Sequence, residues 1–137
     1  IRTGADVAKA MAMGADAVSI GSAAMMALNC NADLYVEDYK KLGTEPGYCH
    51  HCHTGKCPVG VATQDPELEK RLNPIEAGKR IKNYLTTLTL ELQTLARANG
   101  KSDVRNLEPE DLAALTVEAA AMARVPLAGT DWIPGKK

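Results

Sequence analysis

The sequence predicts an α/β chain that passes into a helical C-terminal half. Three observations carry that expectation. Residues 1 to 30, IRTGADVAKAMAMGADAVSIGSAAMMALNC, alternate helical and strand-like patterns, with glycine at the handovers. Residues 30 to 66 lose this rhythm and gather Gly43, Pro46, Gly47, Gly55, Pro58, Gly60 and Pro66. From Pro74 onward apolar residues return at helical spacing.

Taken in order, Thr3 caps a helix over about residues 5–13, with Val7, Ala8 and Met11 on one face and Gly14 closing it. The stretch Ala17 to Ile20 reads as a short buried strand, and Ser22 to about Asn29 as a second helix. The irregular middle leaves room for one brief helix, about Asp33 to Leu42. So long a stretch without regular structure is usually functional or held by something other than a core. Ile81, Leu85, Leu88, Leu92 and Leu95 form a stripe on a helix from about Asn73 to Ala98, ended by Asn99-Gly100. That stripe reads as core packing. Pro109, Glu110 and Asp111 open a last helix running to about Arg124. The tail VPLAGTDWIPGKK is a Pro/Gly-rich strap, with Trp132 as its anchor and Arg124 at its base.

Composition narrows the function. With 45% apolar and 24% charged residues the chain is globular, and a net charge of −1 argues against nucleic-acid or polybasic membrane binding. No apolar run approaches the roughly 18 residues that span a bilayer. Four cysteines, three of them clustered, fit a reducing, cytoplasmic setting and metal ligation better than disulfides. The opening at Ile1, directly into a motif that normally follows a strand, leads to the expectation of a C-terminal piece of a longer protein.

Two turns offer a first chemical site: Arg2-Thr3-Gly4 and Ile20-Gly21-Ser22. Unpaired N–H groups at a helix N-terminus suit a phosphate, and glycine lets the backbone come close. Ordinary turns with structural glycines account for the same spacing. Paired turns of this kind bind phosphate after the last strands of (β/α)8 barrels.

CHHCHTGKCPVG, residues 49 to 60, offers the second. Cys49 and Cys52 have the spacing of a metal knuckle or a redox dithiol, whereas Cys52-x4-Cys57-Pro is not a common zinc spacing. A zinc site would have to recruit Cys30 or one of His50, His51 and His53. The Cys-Pro ending is compatible with iron–sulfur runs. An iron–sulfur cluster, zinc and free or redox thiols all remain open on spacing alone. The histidines read as solvated loop residues or donors behind the ligands. Nothing in the chain offers an acid–base pair or a catalytic nucleophile.

The segment IRTGADVAKAMAMGADAVSIGSA resembles the last turns of barrels that bind FMN or a nucleotide monophosphate, such as glutamate synthase, flavin-dependent hydroxy-acid oxidases and inosine-monophosphate dehydrogenase. CHTGKCPVGVATQDPEL, with NLEPEDLAALT after it, is similar more narrowly to the glutamate synthase large subunit, and this resemblance covers nearly the whole chain. It implies the C-terminal part of a (β/α)8 TIM barrel: residues 1–29 its last phosphate turns, 30–66 an insertion with the Cys-rich cluster loop, and 67–137 packing α-helices with the tail. It implies FMN phosphate held at Arg2, Gly4, Gly21 and Ser22. It also implies a [3Fe–4S] cluster on Cys30, Cys52 and Cys57. Twenty-one residues, Asn31 to His51, stand where the family has a much shorter gap. Cys49 is therefore an extra thiol that replaces Cys30 or completes a [4Fe–4S] set.

The implied reaction is reduction of 2-iminoglutarate, formed from 2-oxoglutarate and ammonia, to L-glutamate, in a cytoplasmic oxidoreductase of nitrogen metabolism. Ammonia, glutamine-derived or free, would come from elsewhere. Electrons would come from a donor subunit or ferredoxin, and the chain would assemble with other synthase subunits. The insertion and the tail RVPLAGTDWIPG also resemble stand-alone FMN-binding synthase-like subunits, including N-methylglutamate synthases that take methylamine. A zinc-stapled interaction domain without redox chemistry is the reading from another class.

Overall fold

A computed structural model describes residues 1–135, so the last two residues of the expected 67–137 segment lie outside it. The described residues are helical, in two units: Ile1–Ser19 with the chain from Thr87 onward, and Ile20–Thr86. Among the described residues six α-helices are formed, α1 (Gly4–Ala12), α2 (Ser22–Ala27), α3 (Val36–Lys41), α4 (Pro66–Glu69), α5 (Pro74–Ala98) and α6 (Val117–Ala123). Short 3-10 turns lie at Cys52–Thr54, Val104–Asn106 and Pro109–Asp111. No helix among the described residues is long and apolar enough to cross a membrane.

In the first unit α1 starts where its capping chemistry dictates. Thr3 Oγ1 accepts from the Asp6 amide at 3.3 Å, and Asp6 Oδ2 accepts from the Thr3 and Arg2 amides at 3.2 and 2.9 Å. Its inner face buries Val7, Ala8 and Ala12 against Leu92 and Ala96 of α5 and Leu107. Met11, Val18, Leu88, Leu95, Val104 and Leu112 close around them. With no Phe in the chain, this core depends on close approach of small residues rather than on large rings. Gly4 marks the tightest point. A Cβ there would lie 2.5 Å from the Leu88 carbonyl and 2.7 Å from the Leu92 nitrogen.

Three expectations are corrected. Ala17 to Ile20 form no strand, and among the described residues no β-strand is formed at all. Extended backbone becomes a strand only when a neighbouring strand takes its hydrogen bonds, and these residues pair with none. The α/β rhythm is thus present as helix, irregular segment, helix, without a sheet. Secondly, the helix expected from Pro109 to Arg124 is broken in two. Ala114 donates to the Pro126 carbonyl and accepts from the Ala128 amide, both at 2.8 Å, in a one-residue parallel bridge to Leu127. The helix restarts only at Thr116, whose hydroxyl accepts from the Ala119 amide at 3.2 Å. Thirdly, the stripe on α5 is not uniformly core: Leu92 is buried, whereas Leu85 is exposed.

The tail forms its own small core of Ala114, Ala120 and Val125. Trp132 joins this strap through its carbonyl, which accepts from the Leu127 amide at 3.0 Å, while the residue itself stays half exposed. In the second unit, Asp65 caps α4 and Asn73 caps α5, each side chain accepting from two helix amides.

Candidate cofactor site

The cysteines all lie in the second unit, and the chain between them is folded back rather than loose. Cys30 follows α2, between Asn29 and Asn31, both left-handed at φ 75° and 60°. Asparagine tolerates that conformation better than most residues. The Asn31 side chain then reaches eighteen positions along the chain. Its Oδ1 accepts from the Cys49 amide at 2.8 Å, and its Nδ2 donates to the Cys49 carbonyl at 3.3 Å and lies 3.8 Å from Cys30 Sγ. One asparagine therefore ties Cys49 to the neighbourhood of Cys30.

A second tie comes from Arg71. Its Nη1 donates to Asp38 Oδ2 of α3 at 2.8 Å and to the Pro58 carbonyl at 2.7 Å. Its guanidinium also stands 4.2 Å from the centre of the Tyr35 ring. The short helix of the insertion is thus fastened to the residue after Cys57. Gly60 permits this packing: its φ is +76°, and a Cβ there would run into the Leu68 carbonyl. Thr63 Oγ1 donates to the Gly55 carbonyl and closes the loop below Cys57.

Inside these ties Tyr39, Cys57 and Val59 are buried together, with Cys49, Val61 and Ala62 packed against them. Cys30 and Cys49 are half-buried and Cys52 is exposed, in the 3-10 turn. Burial pushes the Cys30 thiol up, and the nearby thiolate positions of Cys52, Cys57 and Cys49 push it further. Cys49, tied to Asn31 beside Cys30, also packs against the cluster that buries Cys57, so three of the four cysteines are related by direct contacts. Among the described residues no three Cys, His, Asp or Glu side chains are grouped so as to hold one metal ion. His50, His51 and His53 stack in a ladder, with ring centres 4.6 and 6.2 Å apart, and His50 and His53 are exposed.

Tyr39 was not singled out by the sequence. Burial pushes its phenol up to about 12, with Cys49, Cys57 and Cys30 adding to the effect. Its hydroxyl is buried and has no hydrogen-bond partner. A buried group left in that state costs about 1–3 kcal/mol. Asn31 and Arg71 were missed as well. Adjacency to Cys30 was the available signal for Asn31; nothing local marks Arg71.

The two glycine turns differ. At the first, the Gly4 amide donates to Glu91 Oε2 at 2.7 Å, and the Arg2 and Thr3 amides are engaged by Asp6. The glycine there is demanded by helix packing, and the anion seat at the start of α1 is filled by the chain's own carboxylates. At the second, Gly21 and Ser22 are exposed, no side chain caps α2, and a Cβ on Gly21 would meet open space. Arg2 and Gly4 belong to the first unit, Gly21 and Ser22 to the second.

Comparison with known proteins adds the family. The conserved region in glutamate synthase matches residues 1–102. A glutamate synthase large subunit-like protein of Rhizobium meliloti (strain 1021) is 62% identical over 136 residues, 99% of this chain and 31% of that protein. An archaeal glutamate synthase (NADPH) of Methanocaldococcus jannaschii is 42% identical over 107 residues, 78% of this chain and 18% of that protein. A glutamate synthase large subunit-like protein of Bacillus subtilis (strain 168) is 37% identical over 94 residues, 69% of this chain and 15% of that protein. The chain spans about a third or less of the length of these curated relatives. No solved structure matches it. Since the family's conserved region takes in residues 1–102 of the 137, the chain belongs to the glutamate synthase family.

Proposed function

We propose that this chain is the C-terminal part of an FMN-binding (β/α)8 synthase domain, in which residues 30–66 carry an iron–sulfur cluster. The observation that carries this reading is the folding-back of the insertion, in which Asn31 ties Cys49 to the neighbourhood of Cys30 and Cys49 packs against the cluster that buries Cys57. The chemistry of the donor set fits. The thiols range from buried Cys57 through half-buried Cys30 and Cys49 to exposed Cys52, and a polynuclear cluster is wide enough to bridge sulfurs that do not converge on a single point. Cys52 and Cys57 serve as ligands, with Cys30 or Cys49 as the third for [3Fe–4S], or both for [4Fe–4S].

The flavin phosphate takes Gly21 and Ser22 as its open turn. At the turn of Arg2 and Gly4, the Gly4 amide serves an anion only when the Glu91 carboxylate gives it up. When bound, the two cofactors supply the redox chemistry of reductive amination, 2-iminoglutarate to L-glutamate. This chain's residues hold the flavin phosphate and fix the thiols; the nitrogen donor and the electron donor, a subunit or ferredoxin, are supplied by partners.

The test is the iron, sulfide, zinc and flavin content of the intact protein purified without oxygen, with an EPR spectrum. Bound FMN with iron and sulfide is expected, and Cys52→Ser or Cys57→Ser should abolish the cluster. Full iron and sulfide in Cys52→Ser would defeat the ligand assignment. Zinc without sulfide or flavin would leave a structural staple in place of a redox centre. Turnover with methylamine but not ammonia would move the substrate to the N-methylglutamate class.

A further inference from the structure

The insertion between Cys30 and Cys49 buries one polar group that neither the fold nor phosphate binding uses. Tyr39, at the centre of α3, is 1% exposed, and its hydroxyl has no hydrogen-bond partner. A buried phenol normally finds one, because an unpaired O–H in an apolar setting is costly. Tyr39 is also not free to turn away. Asp38 beside it and Tyr35 one helical turn before it are both engaged by Arg71, which holds Pro58, next to Cys57, with the same guanidinium. The ring packs directly in the cluster of side chains formed by Cys57 and Val59, with Cys49 against it.

Resting on the iron–sulfur reading of the cysteine loop, we propose that Tyr39 is a positioning residue for that cluster, its O–H donating to a cluster sulfide or to a ligating thiolate. Neutral thiols are weak acceptors, so Cys57 and Cys49 in the same side-chain cluster leave the buried hydroxyl unpaired. Sulfur that is ligated to iron carries negative charge and accepts well. A donor aimed at such sulfur favours the reduced, more negative state, so Tyr39 raises the reduction potential. The aromatic ring supplies packing, and the hydroxyl supplies the tuning; Tyr39→Phe separates the two.

The experiment is an EPR-monitored redox titration of the intact protein, wild type against Tyr39→Phe, with iron, sulfide and zinc measured on the same samples. Equal iron and sulfide with a more negative midpoint in Tyr39→Phe is the expected result. Equal midpoints at equal cluster content overturn the proposal. Should Tyr39→Phe fold poorly or lose iron, a fluorotyrosine introduced at position 39 keeps the packing and strengthens the donor. Its midpoint must then rise, and an unmoved midpoint overturns the proposal. Zinc in place of iron and sulfide in the wild type defeats the cluster reading and this inference with it. A normal cluster with an unmoved potential defeats the role of Tyr39 alone.

Discussion

Gly60 directly follows Val59, which is buried with Tyr39 and Cys57, and its replacement isolates what a single backbone position contributes. At φ +76° a side chain is strained in any surroundings, and here a Cβ would also press on the Leu68 carbonyl, with the Leu72 nitrogen at 3.1 Å and Arg71 Cβ at 3.4 Å. Gly60→Ala is expected to destabilise the protein by about 2 kcal/mol or more, from left-handed strain plus displacement of the Leu68–Leu72 turn. Denaturant unfolding measures it, and a loss within about 0.5 kcal/mol would mean that the turn yields freely. Single residues were the most legible scale in the sequence. The four cysteines and the glycine turns stand out by type and spacing. Tyr39, Asn31 and Arg71 do not, because their roles are set by partners thirteen or more positions away or by burial, which no local pattern records.

Helices were legible in proportion to how local their causes are. The α1 and α5 boundaries follow from side-chain caps at Thr3 and Asn73, and both lie close to where periodicity puts them. The break after Asp111 was not legible, because Leu112 to Leu115 are good helix formers diverted by hydrogen bonds to Pro126 and Ala128. The strand at 17–20 was not realised for the complementary reason: its pattern is right, but a strand is a property of a pair. Capping also gives α1 a dependence on pH. Hydrogen bonds from the Arg2 amide first, then Lys9 and the Thr3 amide, lower the Asp6 carboxyl to about 2. Its folded pKa is below the unfolded value of about 4, so the stabilisation is complete above pH 4 and is lost as pH falls toward 2. Thermal melting of wild type and Asp6→Asn should therefore differ near neutral pH and converge in that acid window. A constant offset down to pH 2 would show that the cap acts without its charge.

For the molecule as a whole, the informative feature is how a long insertion costs the site so little order. Closing a loop grows only slowly more expensive with length, so two hydrogen bonds from Asn31 go far toward fixing its ends. Removing them with Asn31→Ala should leave Cys52 and Cys57 placed while Cys49 drifts from Cys30. At about 1 kcal/mol for each of the two bonds, loss of iron to a chelator should quicken roughly thirtyfold, followed by the decay of visible absorbance. An unchanged rate would remove Cys49 from the ligand set. This closure was the part of the candidate site least visible in the sequence, where the insertion reads only as glycine- and proline-rich loop with one brief helix. The left-handed asparagines on either side of Cys30 add a constraint on how this segment is free to drift over generations. Branched residues such as Val or Ile are barred from both flanks by backbone sterics, so substitutions there narrow to Gly, Asp and Asn. A cysteine in such a setting is held by the grammar of its neighbours as much as by any metal, and a lineage that discarded the thiol would be released from that grammar at both positions at once.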